Sequence, residues 1–123
     1  MLKLLLDEHI SPEVAEGLRH RNKKMTVFHL AEWENKRFLG QPDDFLLREA
    51  ARQDITLVTY DLKTIPPLLK LWAESGLNHG GLIFIDNKTI PQSDIGGIIH
   101  ALKKLISEST AWDWQNRICY LRR

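Results

Sequence analysis

Cysteine, long apolar runs and a dominant charge are all scarce in this chain, and each scarcity closes off a class of protein. The single cysteine, Cys119, excludes an internal disulfide and agrees with a reducing cytoplasm. No run approaches the roughly 20 apolar residues that a membrane-spanning helix needs. The opening stretch Met1 to Leu6 holds one lysine and five apolar residues before Asp7 interrupts it, too little for the apolar region of a signal peptide. A net charge of +1 supplies no global field for nucleic acid or a membrane surface, so any basic surface must be local. Repeats, low-complexity segments and linkers are missing too. What remains is 123 residues, 43% hydrophobic and 27% charged, enough for one domain with a real core. The expectation is a single soluble cytoplasmic domain over residues 1–123.

Short apolar runs alternate with helical patterns along the chain. The runs Leu2–Leu6, Met25–Leu30, Thr56–Tyr60, Leu82–Ile85 and Arg117–Leu121 read as strands. Ser11-Pro12-Glu13 starts a helix with a capping hydroxyl, a first-turn proline and an early acid, and this helix stops near the basic stretch His20–Lys24. Ala31 to Gln41 is a loop of mixed charge with two exposed-looking aromatics, Trp33 and Phe38. Pro42-Asp43-Asp44 opens a second helix that buries Phe45, Leu46, Leu47, Ala50 and Ala51. A third runs from Leu68 to about Ser75, ended by Gly76, and a fourth from Ile90 to about Ser107. This alternation predicts a three-layer α/β/α fold: a mostly parallel sheet of 4–5 strands covered on both faces by right-handed crossovers.

Two of the strands close on carboxylates, Leu4-Leu5-Leu6-Asp7-Glu8 and Leu57-Val58-Thr59-Tyr60-Asp61. Parallel strands carry their carboxyl ends to one edge, where open α/β sheets bind ligands. Asp43 and Asp44 fall in the first turn of the intervening helix, which begins at that same edge near the positive end of its dipole. Gathered carboxylates repel unless a cation sits among them, and oxygen donors suit Mg²⁺ or Mn²⁺. Taken singly, Asp43 or Asp44 reads as a helix cap, Asp61 as a turn or cap, and Asp86-Asn87 as ordinary turn chemistry. The joint placement of Asp7, Asp43 and Asp61 is what points to a metal site, with Asp44 competing for the role of Asp43.

These residues resemble a family. Leu4 to Pro12, then Asp43-Asp44-Phe45-Leu46-Leu47-Arg48-Glu49-Ala50-Ala51, then Leu57 to Asp61, are similar to the compact PIN-like domains, shortened relatives of the PIN ribonucleases used as toxins in bacterial toxin–antitoxin pairs. The resemblance extends to about Asp86. It implies a PIN-like fold and a metal-dependent ribonuclease that hydrolyses phosphodiester bonds with Mg²⁺ or Mn²⁺. It also implies Asp7, Asp43 and Asp61 as ligands, Glu8 or Asp44 assisting, an RNA substrate, an antitoxin protein as partner, and pairing into a homodimer. The chain departs from the family in two places. A further acid that full-length relatives carry on a helix ahead of the helix-start Asp is missing, leaving Glu32, Glu34 or Glu8 to substitute. Leu62, Lys63 and Thr64 stand where an acid and an aromatic often follow Thr-x-Asp.

Other residues carry weaker signals. His9 follows the acidic pair as a candidate substrate contact or proton carrier, and His29 closes the second strand on the same edge. Thr59 is a candidate to position a metal-bound water. Lys23, Lys24, Lys36, Arg37 and Lys63 are candidates for a phosphate path, with Trp33 or Phe38 stacking on bases, or Trp33 simply covering the core. Trp112 and Trp114 read as packing or interface residues. Gly80-Gly81 and Gly96-Gly97 lack the spacing of a nucleotide-binding loop. Two rival functions stand beside the nuclease. A PIN-like module without the missing acid would bind RNA or a protein and cut nothing. A receiver-type phosphoacceptor, with Asp61 phosphorylated, needs a hydroxyl residue after the next strand and a later lysine; Ile85-Asp86 and the last strand supply neither.

Overall fold

A computed structural model describes residues 2–23 and 25–123. Lys24, a candidate for the phosphate path, lies outside the described residues. The strands are β1 (Lys3–Leu6), β2 (Thr26–His29), β3 (Thr56–Thr59), β4 (Leu82–Phe84) and β5 (Ile118–Tyr120). The helices are α1 (Pro12–Arg21), α2 (Asp43–Arg52), α3 (Ile65–Glu74) and α4 (Ile95–Glu108). The sheet order is β2-β1-β3-β4-β5 and every neighbouring pair is parallel. The expected α/β architecture is therefore present, with the sheet wholly parallel. No helix among the described residues is long and apolar enough to cross a membrane.

Alternation along the strands builds two cores. Leu4, Leu6, Val58, Ile83 and Ile85 face α1 and α4, meeting Val14, Leu18, Ile98 and Leu102. Leu5, Leu57, Leu82 and Phe84 face the other way, onto Leu46, Leu47 and Ala50 of α2 and Leu69 and Trp72 of α3. Burial on both faces is why the strands read as continuous apolar runs rather than alternating ones. Phe45, expected inside, is 54% exposed; the buried stripe of α2 passes through Leu46, Leu47 and Ala50 instead.

Three expectations need correction. Helix α3 begins at Ile65, with Pro66 and Pro67 inside its first turn, where missing N–H groups cost nothing. Helix α4 begins at Ile95 rather than Ile90, because the Asp94 side chain caps it by accepting from Gly97 N at 3.0 Å. The crossovers also do not share one hand. The steps β3 to β4 and β4 to β5 run the same way across the sheet, yet α3 covers one face and α4 the other. The loop between β4 and α4 carries the chain to the α1 side, where Gly17 admits Ile99: a Cβ there would overlap Ile99 Cδ1.

From β1 the chain steps outward to β2 and then back across to β3. The sheet thus reverses its winding between β1 and β3. In an open parallel sheet the crevice at that reversal, on the carboxyl edge, is where ligands sit.

Candidate functional site

Asp7 and Asp61 follow the two strands that flank the reversal point, and Asp43 opens α2 on the same edge. Asp7 N continues the ladder by donating to Val58 O at 3.0 Å, which holds the residue beside β3. Asp7 as a residue is 9% exposed. Oδ1 accepts from Glu8 N at 2.7 Å and Oδ2 accepts from the Thr59 hydroxyl at 2.6 Å. Thr59, fully buried, then accepts from Asp61 N at 3.0 Å through the same oxygen. One hydroxyl therefore fastens the first acid to the backbone of the third.

Asp61 is held more tightly still. Its Oδ1 accepts from the backbone N–H groups of Lys63 (3.0 Å) and Thr64 (2.9 Å), and its Oδ2 accepts from the Thr64 hydroxyl. Burial pushes its pKa up. The bonds from Thr64 and Lys63, with the charge of His9 nearby, outweigh that and leave it below the usual aspartate value. Thr64 Oγ1 also lies 3.0 Å from Asp43 Oδ2. Asp43 shifts the opposite way. Burial raises its pKa above the ordinary value, the Thr64 contact opposes this, and the charges of Asp61, Asp7 and Glu8 raise it further. Asp7, Thr59, Asp61, Thr64 and Asp43 form one hydrogen-bonded chain, and Asp43 feels the three other acids of the edge.

The neighbouring candidates separate. Asp44 turns away: Oδ2 accepts from Arg48 Nε and Oδ1 from Trp72 Nε1, both at 2.9 Å, and these bonds hold its pKa down. Neither Asp43 nor Asp44 caps α2, whose N-cap residue is Pro42 with no side-chain cap bond. Glu8 and His9 are exposed beside Asp7. Asp86 Oδ1 accepts from Lys88 N at 2.9 Å, the turn expected of it. His29 is buried; its Nε2 lies 2.6 Å from Ile10 O and its Nδ1 accepts from Ala31 N, so it ties the β1–α1 loop to the loop after β2. The substituting acids are elsewhere engaged: Glu32 pairs with Arg19 at 2.8 Å, and Glu34 accepts from Gln53 at 2.6 Å.

The aromatic expectation fails in part. Trp33 is 3% exposed and packs in the α2–α3 core, and Phe38 is half-buried against it with ring centroids 5.1 Å apart. Between them Glu34, Asn35 and Lys36 all adopt left-handed backbone angles, with φ of 51°, 57° and 68°. That tight turn folds the aromatics inward. Lys23, Lys36, Arg37 and Lys63 are exposed, Arg37 with its guanidinium 4.8 Å from the Phe38 ring centroid.

The donors along this edge are all oxygens, several of them carboxylate, which is the chemistry that hard divalent cations take. Among the described residues, no three histidine, cysteine, aspartate or glutamate side chains form a group that could hold a metal ion. The donor set fits in kind, while its members stand at the spacing of hydroxyl-bridged carboxylates. Thr64 is the participant that sequence reading passed over. Nothing in its local context marks it; it matters because α3 starts where its hydroxyl reaches back to α2.

A family model described as a PIN-like domain matches residues 2–80, and the chain belongs to that family. The matched segment holds β1 to α3 with Asp7, Asp43 and Asp61, and leaves β4, α4 and β5 outside. Neither the curated proteins nor the solved structures contain a match.

Proposed function

We propose that this member of the PIN-like domain family is a metal-dependent nuclease that hydrolyses phosphodiester bonds in RNA. The reading assigns Asp7, Asp43 and Asp61 as the holders of Mg²⁺ or Mn²⁺. The observation that supports it is the hydrogen-bonded run Asp7–Thr59–Asp61–Thr64–Asp43 on the carboxyl edge at the strand reversal. Carboxylates gathered at a strand-reversal edge at an electrostatic cost are what a cation would relieve. When bound, such an ion activates water and stabilises the leaving oxygen.

The chain's own residues do the rest. Thr59 and the Glu8 amide fix the Asp7 carboxylate, and the backbone at Lys63 and Thr64 fixes that of Asp61. Asp43, its pKa raised by burial, would complete the carboxylate set that holds the ion. His9, exposed and close enough to act on Asp61, is the substrate contact or proton carrier of this reading. Lys63 and Lys36 offer charge to the flanking phosphates. Asp44 belongs to α2 and α3, bound by Arg48 and Trp72, and takes no part in this reading. The setting we assign is the cytoplasm, as the toxin of a toxin–antitoxin pair whose partner protein blocks the acidic edge.

Labelled single-stranded RNA incubated with the protein and Mn²⁺ tests this. Cleavage that disappears with chelator, in Asp7→Asn and in Asp61→Asn, supports the reading; cleavage surviving both substitutions sinks it. The hydroxyl-bridged spacing of the acids favours one rival, a PIN-like module that binds RNA without cutting. RNA binding with no cleavage under any divalent ion is its signature.

A further inference from the structure

Helix α3 and the edge strand β5 leave a cleft of about 400 Å³ between them. That volume lies within the roughly 300–1,000 Å³ of small-ligand sites. Its origin is the register of the sheet. Ile118 and Tyr120 stand opposite Leu82 and Phe84, so their side chains share the face that α3 covers. Leu82 and Phe84 are buried there, whereas Ile118 remains 49% exposed. Leu69 and Ala73 of α3, Leu77 beyond it and Ile118 form apolar wall, and Asn78, His79 and Asn116 supply the polar part. Among the described residues, no lysine, arginine, aspartate or glutamate lines the cleft.

The polar part is held rigidly. Asn116 Oδ1 accepts from His79 N at 3.0 Å, Asn116 N donates to His79 O at 2.9 Å, and Asn116 Nδ2 donates to Asn78 Oδ1 at 2.8 Å. His79 is 7% exposed. Its Nδ1 accepts from Gly81 N at 3.0 Å, so the neutral ring carries its proton on Nε2. Burial lowers the imidazole pKa and keeps the ring neutral. Nε2 then has a proton to donate and no partner among the described residues. Nor is it sealed in. Among those residues the Trp114 indole N–H is the one side-chain nitrogen or oxygen both buried and unbonded, so His79 Nε2 stays within reach of solvent, and the cleft opens onto its ring.

The same details select the occupant. A metal ion needs a lone pair on Nε2, which this tautomer lacks. Gly76, just past the end of α3, also lines the cleft, and the negative end of the helix dipole disfavours an anion. We infer that this cleft binds a small neutral molecule with a branched or cyclic apolar body and a carbonyl oxygen. The body lies against Leu69, Ala73, Leu77 and Ile118, and the oxygen accepts from His79 Nε2. His79 precedes β4 at the amino edge of the sheet, away from the acids, so the site does not depend on the nuclease reading.

A nitrogen-resolved NMR titration of the full chain with cyclohexanecarboxamide tests this. The amide signals of Leu77, His79 and Ile118 are expected to shift to saturation on one binding curve, with cyclohexanecarboxylate about tenfold weaker or worse. His79→Asn places an oxygen near the position of Nδ1, keeping an acceptor for Gly81 N, and removes Nε2; affinity should fall about tenfold. Ala73→Leu fills the cleft from an exposed helix position that leucine suits, and should abolish binding while leaving the urea midpoint unchanged. Absence of saturable shifts in the parent, equal or tighter binding of the carboxylate, unchanged affinity in His79→Asn, or binding retained in Ala73→Leu overturns the inference.

Discussion

Thr64 stands between Asp43 and Asp61, its one hydroxyl bonding Asp61 Oδ2 and lying 3.0 Å from Asp43 Oδ2. A hydroxyl has a single proton to donate. It cannot donate to both carboxylates at once, so the two compete for it. Asp43 is the one whose pKa is raised, by burial and then by the charges of Asp61, Asp7 and Glu8, while that of Asp61 is lowered.

The first prediction follows from the sign of that shift. A carboxyl whose folded pKa exceeds its unfolded value of 3.8 stabilises the fold fully below that value, and the benefit is lost as pH rises through the folded pKa. Asp43→Asn should therefore be more stable than the parent at neutral pH without divalent ions, and the gap should close on acidification. Urea denaturation between pH 3.5 and 7 reads it. A variant less stable than the parent at pH 7 contradicts the assignment.

Thr59 carries the second prediction. Replacing it with valine keeps the shape and removes both the donor to Asp7 and the acceptor for Asp61 N. The expected cost is about 1–3 kcal/mol of stability. On the proposed nuclease reading, activity should also fall at least about tenfold, because misplaced ligands are costly to catalysis. Thr59→Ser should recover most of both. A valine variant with parental stability would show that the buried bond is dispensable.

How far the sequence revealed this molecule depended on where each signal resides. Leu4-Leu5-Leu6 and Leu57-Val58 are buried on both faces, and that local fact was legible as two strands. The acids that close those strands were legible for the same reason. Trp33 was left open between base stacking and core, because charged neighbours surround it in sequence while a run of left-handed residues turns it into the core. The start of α4 was misplaced because apolar spacing extends to Ile90, whereas the helix begins after the capping carboxylate of Asp94. The role of Thr64 depends on a meeting of α2 and α3 that no local pattern records. Asp43 and Asp44 looked interchangeable in sequence, and Trp72, 28 residues on from Asp44, draws only Asp44 away.

The third prediction concerns Tyr60, whose phenol donates to Ile90 O at 2.7 Å. Burial, aided by the charge of Asp94, pushes its pKa up from 10.0 to about 12. The raised value means that its contribution is complete below pH 10.0 and fades as pH climbs toward 12. An ultraviolet titration should contain a phenolate component near 12 that vanishes in Tyr60→Phe. That variant should lose about 1 kcal/mol. Persistence of the component would assign it elsewhere.

Gly81 supplies the fourth. Its φ of +108° is strained for any other residue, and a Cβ there would press on Trp114 and Thr56. Gly81→Ala should cost about 2 kcal/mol or more. Tryptophan fluorescence should shift as Trp114 moves. A variant with unchanged stability and emission would mean that the approach is looser than drawn.

The most direct test of the account is a calorimetric titration of Mn²⁺ into the parent chain and into Asp7→Asn, Asp43→Asn and Asp61→Asn. The account predicts saturable binding in the parent, with affinity lowered at least about tenfold in every variant. Equal affinity across all four proteins, or no saturable binding in the parent, would contradict it.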